Sequence, residues 1–307
     1  MSLLLAELRR LLARRAVVFL LIAGFALAAL IAAAVLWEGR PITPGDLAYG
    51  QEQYERDIAA CEENPRRYGG GRGFECADAM MRPEDYVYRQ VLTPAAVLDG
   101  LRVTLTTLLG LIALVVGTTF VGAEWTSGSM SNLMLFEPRR SRVWLAKVVA
   151  VVVVVTAFAT AVLGLVVVAS LAAAVSWSDA PWGSTRGWDA AYATLRGVTV
   201  VVALAMVGVA MTLALRSTIA TVGLSFGYPL VGEAMFRAVA AQAVEPWLLS
   251  SHMFAFLQGR LELYGQSFGR RPDVTVLHLQ TSALYLGASM LVLLVASWLT
   301  FRRRDIA

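Results

Sequence analysis

Few residues of this chain could carry out chemistry. It contains one lysine, two histidines and two cysteines among 307 residues. A phosphate-binding loop of the Walker type needs a glycine-rich turn that ends in lysine, and Lys147 is preceded by VWLA. His252 and His278 lack the spacing of a metal site, and neither an HExxH helix motif nor a GxSxG nucleophile turn occurs. We therefore predict a chain that is not an enzyme and has no cofactor of its own.

Charged residues are also scarce, and long apolar runs take their place. Only 16% of the residues are charged while 58% are hydrophobic, and the mean hydropathy is +0.64. Soluble domains are roughly 45–50% apolar, and a membrane-spanning helix needs about 20 mostly apolar residues. The sequence therefore predicts an all-α polytopic membrane protein with six transmembrane helices. The six runs are residues 16–37, 101–122, 148–175, 191–215, 217–241 and 281–301.

The N-terminal residues 1–15 show a helical pattern with two faces. One face carries leucines and the other carries charges: Leu4, Leu8, Leu11 and Leu12, against Glu7, Arg10 and Arg14. This pattern favours an amphipathic helix lying along the membrane surface, with a simple extension of the first span as the alternative. The run that follows is longer than the roughly 7–15 apolar residues of a signal peptide, so we predict an uncleaved span.

Basic residues predict the orientation in the plasma (inner) membrane. Arginines precede the first run and follow the last, and cytoplasmic loops are enriched in basic residues. With six spans, both termini, the 123–147 segment and the 302–307 tail are expected to be cytoplasmic. Residues 38–100 carry twelve acidic residues and seven arginines, a local charge of −5, and are expected to be extracytoplasmic. The overall charge of +4 thus reflects membrane topology, and no nucleic-acid partner is expected.

Both cysteines, Cys61 and Cys76, lie in the 38–100 segment, with a glycine-rich stretch between them. In an oxidising exterior they are expected to form a disulfide, worth about 3 kcal/mol for a loop of this size. Two free thiols are the alternative. We predict a small cap, helical in part, without a hydrophobic core apart from what packs on the spans.

The most informative stretch is EWTSGSMSNLMLFEPRRSRVWLAK, residues 124–147, between two apolar runs. It is longer than a turn between two helices needs to be. The pattern favours a helix on the membrane surface that stops ahead of Pro138, because the residue before a proline disfavours the α region. Gly128 is expected in the middle of this helix, at a cost of about 1 kcal/mol relative to alanine. A solvated basic loop is the alternative interpretation.

This stretch resembles the signature of type-2 ABC transporter permeases, the membrane subunits of ABC exporters. The residues that match, in register, are Glu124, Trp125, Gly128, Ser129, Met130, Leu133, Met134, Pro138, Arg140, Arg142 and Lys147. The resemblance implies that the segment is a coupling helix that docks on cytoplasmic ABC ATPase subunits. ATP and Mg would then be bound by those partner chains. It also implies a second permease, either a second copy or a related chain.

Two further roles are expected for residues of this stretch. Glu124 would begin the helix, where its carboxylate would cap the free backbone amides and interact favourably with the helix dipole. Alternatively it would pair with a basic residue of the partner. The basic residues are expected to contact anionic membrane lipid: Arg139, Arg140, Arg142 and Lys147.

Two charges and three helix-shaping residues distinguish the fifth run. Glu233 and Arg237 lie four residues apart and can pair on one helical face. Such intramembrane charges either form a self-neutralising structural pair or line a transport path. Gly223 and Gly227 allow close helix approach, within the chain or at a dimer seam, and Pro229 is expected to kink the helix.

The segment between the fifth and sixth runs, residues 242–280, contains an apolar run at 247–257 that is too short to span a membrane. We predict an interfacial or re-entrant segment on the outer side. In the type-2 permeases that the chain resembles, short outer helices that dip into the membrane follow the fifth span.

The functional prediction is the permease subunit of an ATP-driven ABC exporter. The coupling motif of the importers is absent, and amphiphilic substrates such as antibiotics or lipids suit spans that offer apolar and small hydroxyl groups. One alternative is a stand-alone secondary transporter, which usually needs intramembrane ionisable residues and an internal repeat. Another is a non-transporting membrane sensor or assembly factor whose outer cap recognises a ligand.

Overall fold

A computed structural model describes residues 3–69, 74–87, 91–177, 187–264 and 274–303 of the chain. These ranges contain twelve α-helices. They are α1 Leu3–Ala13, α2 Arg15–Glu38, α3 Pro44–Glu63, α4 Cys76–Ala79, α5 Arg102–Thr126, α6 Ser129–Phe136, α7 Arg140–Trp177, α8 Gly187–Leu215, α9 Thr218–Gly227, α10 Glu233–Val244, α11 Leu249–Gln258 and α12 Leu279–Arg303. Of the predicted 302–307 tail, residues 302 and 303 belong to α12, and 304–307 lie outside the described residues.

Six of these helical stretches are long and apolar enough to cross a membrane, which confirms the predicted number of spans and supports a multi-pass membrane protein. They are Arg15–Glu38, Ala96–Thr126, Arg140–Trp177, Gly187–Leu215, Thr218–Ala240 and Leu279–Arg303, numbered here as spans one to six. Span two begins with a π-helical turn, Ala96–Leu101, that leads into α5. Most spans extend a few residues past the apolar runs, because polar residues continue the helix beyond the hydrocarbon.

Spans two, three and four form the core of the bundle. In their most apolar windows 67%, 39% and 50% of the residues are buried, against 11% in each of spans five and six. Helices α5 and α8 pack closely along each other. A Cβ atom on Gly117 or on Gly208 would lie only 2.3 Å from a backbone oxygen of the facing helix. Small residues therefore set the distance between these two spans.

The two ends of the bundle carry different elements. We call the end with α1, α6 and the first turns of α7 the α6 side, and the end with α3 and α11 the cap side. On the cap side, Thr43 and Asp46 form a capping box that begins α3, with Pro44 at its first position. The predicted disulfide is confirmed, because Cys61 at the end of α3 is bonded to Cys76 at the start of α4.

Span five is irregular where Pro229 was expected to kink it. The α-helix changes to a π-helical turn over Tyr228–Gly232, and the backbone at Ala240 is not helical. Gly223 and Gly227 meet no neighbouring atom, because a Cβ on either would have nothing within 4 Å. Close packing of these two glycines against the chain's own helices is therefore wrong, and the face they share is open within this chain.

The 242–280 segment contains a short helix and, unexpectedly, two strands. Helix α11 occupies the apolar run and is too short to span a membrane. It is followed by β1 (Arg260–Tyr264) and β2 (Val274–His278), an antiparallel pair in which Arg260 is opposite His278 and Tyr264 is opposite Val274. Polar and apolar residues alternate in β1, and β2 is rich in β-branched residues, both of which favour strands. Apart from this hairpin the described elements are helical, so the predicted all-α class is confirmed.

Candidate functional site on the α6 side

The 124–147 segment is divided by a sharp turn. Helix α5 continues through Thr126, so Glu124 and Trp125 lie at its end, and α6 begins only at Ser129. Gly128 stands between the two helices with a φ of +70°. The prediction of one helix with Gly128 in its middle, begun by Glu124, is therefore wrong. Glycine is favoured here because side chains at left-handed backbone angles clash with the following carbonyl.

Helix α6 has one buried and one exposed face. Met130 and Leu133 are buried against the bundle, and Met134 is half-buried. Leu135 and Phe136 point away, with 81% and 87% of their surface exposed. The helix ends ahead of Glu137, which is extended as expected for a residue before proline. Among the residues expected to couple to an ATPase, Met130 and Leu133 are therefore core residues, and Ser129 and Pro138 are exposed. The largest exposed apolar side chains of α6 are those of Leu135 and Phe136, which are not part of the matched signature.

A buried ionic cluster joins three helices beneath this turn. It consists of Glu7, Arg10, Arg14, Glu124 and Lys147. The Lys147 Nζ atom lies 2.8 Å from Glu7 Oε2 and 2.5 Å from Glu124 Oε2. Arg10 pairs with Glu7 at 3.0 Å and Arg14 with Glu124 at 3.1 Å. Both Arg14 and Lys147 also stand over the Phe120 ring, at 5.3 and 5.2 Å from its centroid.

Three predictions are corrected by this cluster. Lys147 was assigned to the membrane surface, but its side chain is completely buried, as is that of Glu7. Glu7 was placed on the polar face of α1, yet that face is turned toward α7. Glu124 lies at the end of α5 and not at the start of a helix, and it bridges Lys147 and Arg14. The charges compensate one another inside the protein, so α1 is fixed to the ends of α5 and α7.

The remaining residues of the segment tie the turn to its surroundings. The Trp125 ring packs edge to face against Phe301 of α12, and the Arg216 guanidinium stands 4.8 Å from the Trp125 centroid. Arg140 donates to the carbonyl oxygen of Arg302 at 3.3 Å. The side chains of Arg139 and Arg142 are exposed. Trp125 is thus a packing residue, and Arg139 and Arg142 are the members of the basic group that reach the surface.

A cleft of about 410 Å³ opens between α1 and α6. Its walls combine apolar and basic groups: Arg10, Ala13, Arg14, Glu124, Ser129, Asn132, Leu133 and Phe136. Because the ionic cluster forms the floor of this cleft, the positions of α1 and α6 depend on each other. Exposed apolar side chains beside a basic cleft are typical of a surface that binds another protein.

The turn at Gly128 is directly testable. We expect Gly128→Val to lower stability by about 2 kcal/mol or more, because a β-branched residue is strongly disfavoured at this backbone angle. Gly128→Asn should cost less, since asparagine tolerates the left-handed region. Thermal unfolding of the purified chain measures both. Gly164→Val, at a helical glycine with open space around it, is the control; equal tolerance of valine at 128 and 164 would contradict the turn.

The intramembrane pair lies away from this site, toward the cap side. Arg237 is 3.6 Å from Glu233, whose carboxylate is buried and also accepts hydrogen bonds from the Ser250 amide and hydroxyl groups. Two buried arginine contacts there were not predicted. Arg102 and Arg196 reach the last carbonyls of α11 from spans two and four. An arginine at the start of an apolar run is the signal that could have marked Arg102.

The part of the chain that the structure describes contains no group of three or more histidine, cysteine or acidic residues that could hold a metal ion. The α6-side site combines exposed apolar side chains on α6 with buried charges beneath them. A sequence comparison gives its family. The chain belongs to the DUF2705 family. This family, described as protein of unknown function, matches residues 89–307. No curated protein matches the chain.

The DUF2705 match covers spans two to six and begins after α1–α4. Glu124, Lys147 and α6 lie inside the matched region, whereas Glu7, Arg10 and Arg14 lie before it. The ionic cluster therefore joins the DUF2705 region to the N-terminal residues through the Lys147–Glu7 and Arg14–Glu124 pairs.

Proposed function

We propose that this DUF2705 protein is the permease subunit of an ATP-driven ABC exporter in the plasma (inner) membrane. In this proposal both termini and the α6 side are cytoplasmic, and residues 38–100 form an extracytoplasmic cap. Two copies, or one copy and a related permease, bind separate ATPase subunits that hold ATP and Mg. ATP-driven closure of the ATPase pair moves α6 and switches the spans to move an amphiphilic substrate, such as an antibiotic or a lipid, outward.

The observation that carries the proposal is the exposed face of α6. Leu135 and Phe136 project from a helix that is too short to span a membrane and lies at the end of span two. The opposite face of α6 is packed on the bundle, and the end of α5 that leads into it is fixed through Glu124 and Lys147. A force applied to the exposed face would therefore reach spans two and three directly.

Co-purification with an ABC ATPase encoded beside this chain tests the proposal. We expect wild type to retain the ATPase, and Leu135→Asp with Phe136→Asp to weaken its affinity about thirtyfold or more, since the loss of even one central apolar contact often costs about 2 kcal/mol. The matched control is Leu47→Asp with Tyr49→Asp, two exposed apolar residues of α3 on the cap side. If wild type retains no ATPase, or the α6 double variant binds as well as the control, the proposal is wrong.

A ligand-sensing role is supported by a different observation. A cleft of about 530 Å³ in the cap is lined by aromatic, aliphatic and acidic groups next to the disulfide: Tyr54, Ile58, Glu62, Pro65, Phe74, Glu75, Cys76 and Ala77. A sensor whose cap binds a ligand would use this cleft and would need no ATPase. If the wild-type chain does not co-purify with an ATPase, the sensor is therefore favoured over the exporter.

A further inference from the structure

Helix α11 is held by opposite charges at its two ends. At its first turn the Ser250 amide donates to Glu233 Oε1 at 3.2 Å, and the Ser250 hydroxyl binds the same carboxylate. At its last turn the carbonyl oxygens of Leu257 and Phe256 accept from Arg102 at 3.0 Å and from Arg196 at 3.4 Å. A carboxylate at a helix N-terminus and guanidinium groups at its C-terminus both stabilise the helix dipole.

These contacts add a cap-side link between spans that also pack on each other elsewhere, for example where Ser297 of span six donates to the Ala210 carbonyl of span four. Glu233 lies in span five. Span six contributes Ser282, whose hydroxyl is 3.1 Å from His252 Nδ1, and Tyr285, which donates to the Trp247 carbonyl just before α11. Arg102 and Arg196 belong to spans two and four. On the cap side, α11 therefore ties spans five and six to spans two and four.

The two groups of spans differ in how firmly they are packed. Spans two and four form much of the core, whereas the apolar windows of spans five and six are largely exposed. Span five is further interrupted by its π-helical turn and by the non-helical Ala240. Helices with few buried contacts and irregular backbone open at lower free energy than core helices. The interrupted backbone of span five therefore offers a place at which its cap-side end can shift relative to the core.

Arg102 is arranged so that it can release α11 and stay satisfied. Its side chain is 1% exposed, and its three hydrogen bonds go to backbone carbonyls of Leu98, Ala193 and Leu257. Two of these acceptors lie on spans two and four and remain in place if α11 moves away. Of the bonds of Arg102 only that to Leu257 has to break, so this buried cation keeps two acceptors, while the Arg196–Phe256 bond and the contacts of Leu257 with Val103 and Val200 are lost with it.

We propose that α11 is a releasable strap that holds the cap-side ends of spans five and six against the core, with Arg102 as its pin. Release of the Arg102–Leu257 contact lets α11 move outward with spans five and six. The strap is a property of this chain alone. Its use as the step that opens the outer side to the substrate rests on the proposed exporter function.

Distances between spin labels test the strap in the full-length chain in lipid nanodiscs. Cysteines replace the exposed Thr104 of α5 and Leu284 of α12, and the two native cysteines are already joined in a disulfide. We expect Arg102→Gln to give a longer and broader distance distribution than the unsubstituted background, and Arg102→Lys an intermediate one. Arg260→Gln, at an exposed arginine of β1, is the matched control and should leave the distribution unchanged. An unchanged distribution in folded Arg102→Gln would overturn the proposal.

Hydrogen exchange of the unsubstituted chain provides a second test that needs no variant to fold. If the strap releases, amides in the last turn of α11 should exchange roughly tenfold or more faster than the equally buried amides of α5 and α8 that face it. Equal protection of the three helices would overturn the strap. Neither measurement requires an ATPase, so failure of the strap and failure of the exporter proposal are distinguishable. With the ATPase bound, ATP should shift the same spin-label distance, and an unchanged distance would exclude a role of the strap in transport.

Discussion

Replacing Lys147 by methionine is expected to lower the free energy of unfolding by about 3–5 kcal/mol, because two buried carboxylates lose the cation between them. Lys147 is the contact common to Glu7 and Glu124, and none of the three side chains has more than 3% of its surface exposed. Arg10 and Arg14 would each still hold one carboxylate, but from more exposed positions. Thermal unfolding and proteolysis of the α1 region should both show the loss.

Compensating substitutions separate charge from packing in this cluster. Glu7→Gln combined with Lys147→Met removes the fully buried carboxylate that has lost its lysine, while Arg14 keeps Glu124, and should restore part of the stability. Arg142→Met, at an exposed basic residue of the same helix, should be close to neutral. If Lys147→Met is as mild as Arg142→Met, the buried cluster does not form.

A second large effect is expected from Gly208→Val. The added Cβ would lie 2.3 Å from the Leu114 carbonyl oxygen and 2.9 Å from the Thr118 hydroxyl oxygen, both on α5. Neither the backbone of α5 nor that of α8 can move without separating two core spans, so we expect a loss of about 3 kcal/mol in stability. Thermal unfolding followed by size-exclusion chromatography is a suitable measurement.

Gly223→Val is the matched control for this substitution. Its added Cβ meets nothing within 4 Å in this chain, so the monomer should keep its stability. If Gly208→Val and Gly223→Val unfold at the same temperature, the close approach of α5 and α8 is wrong. If Gly223→Val instead weakens self-association, the open glycine face is a contact between two copies, as expected for a dimeric permease.

The spans were predictable from the sequence because length and apolarity alone decide whether a helix can cross a membrane. The disulfide was predictable for a similar reason, since only two cysteines exist and both lie in one short segment. These predictions depend on local composition. They require no knowledge of which helix is next to which.

The ionic cluster was not predictable because its members are far apart in the chain. Lys147 is 140 positions from Glu7, and no periodicity relates them. Charges on a surface helix usually face water or lipid headgroups, but Glu7 of α1 faces Lys147 of α7. The available hint was that the single lysine directly precedes a long valine-rich run, where an unpaired charge would be costly.

Two local signals were present and were not used. The residues before α6 read Thr-Ser-Gly-Ser, and Ser-Gly is a frequent turn sequence, which argues against a helix through Gly128. Residues 260–264 alternate between polar and apolar types, and residues 274–276 are all β-branched, which predicts strands. At Gly128 the family resemblance favours a continuous helix, and in the 242–280 segment the apolar run favours an interfacial helix. In both places the structure follows the local sequence pattern.

The length of α7 has a mechanical consequence. A continuous helix of 38 residues is about 57 Å long, nearly twice the thickness of a hydrocarbon core. Its first turns carry Lys147 and its last residue, Trp177, is at the other end of the bundle. A rigid rod of that length, tilted by about 5° around one end, displaces the other end by about 5 Å. Small rotations at the buried lysine are thus amplified into side-chain-sized displacements beside the cap, with no intermediate joint in the helix to absorb them.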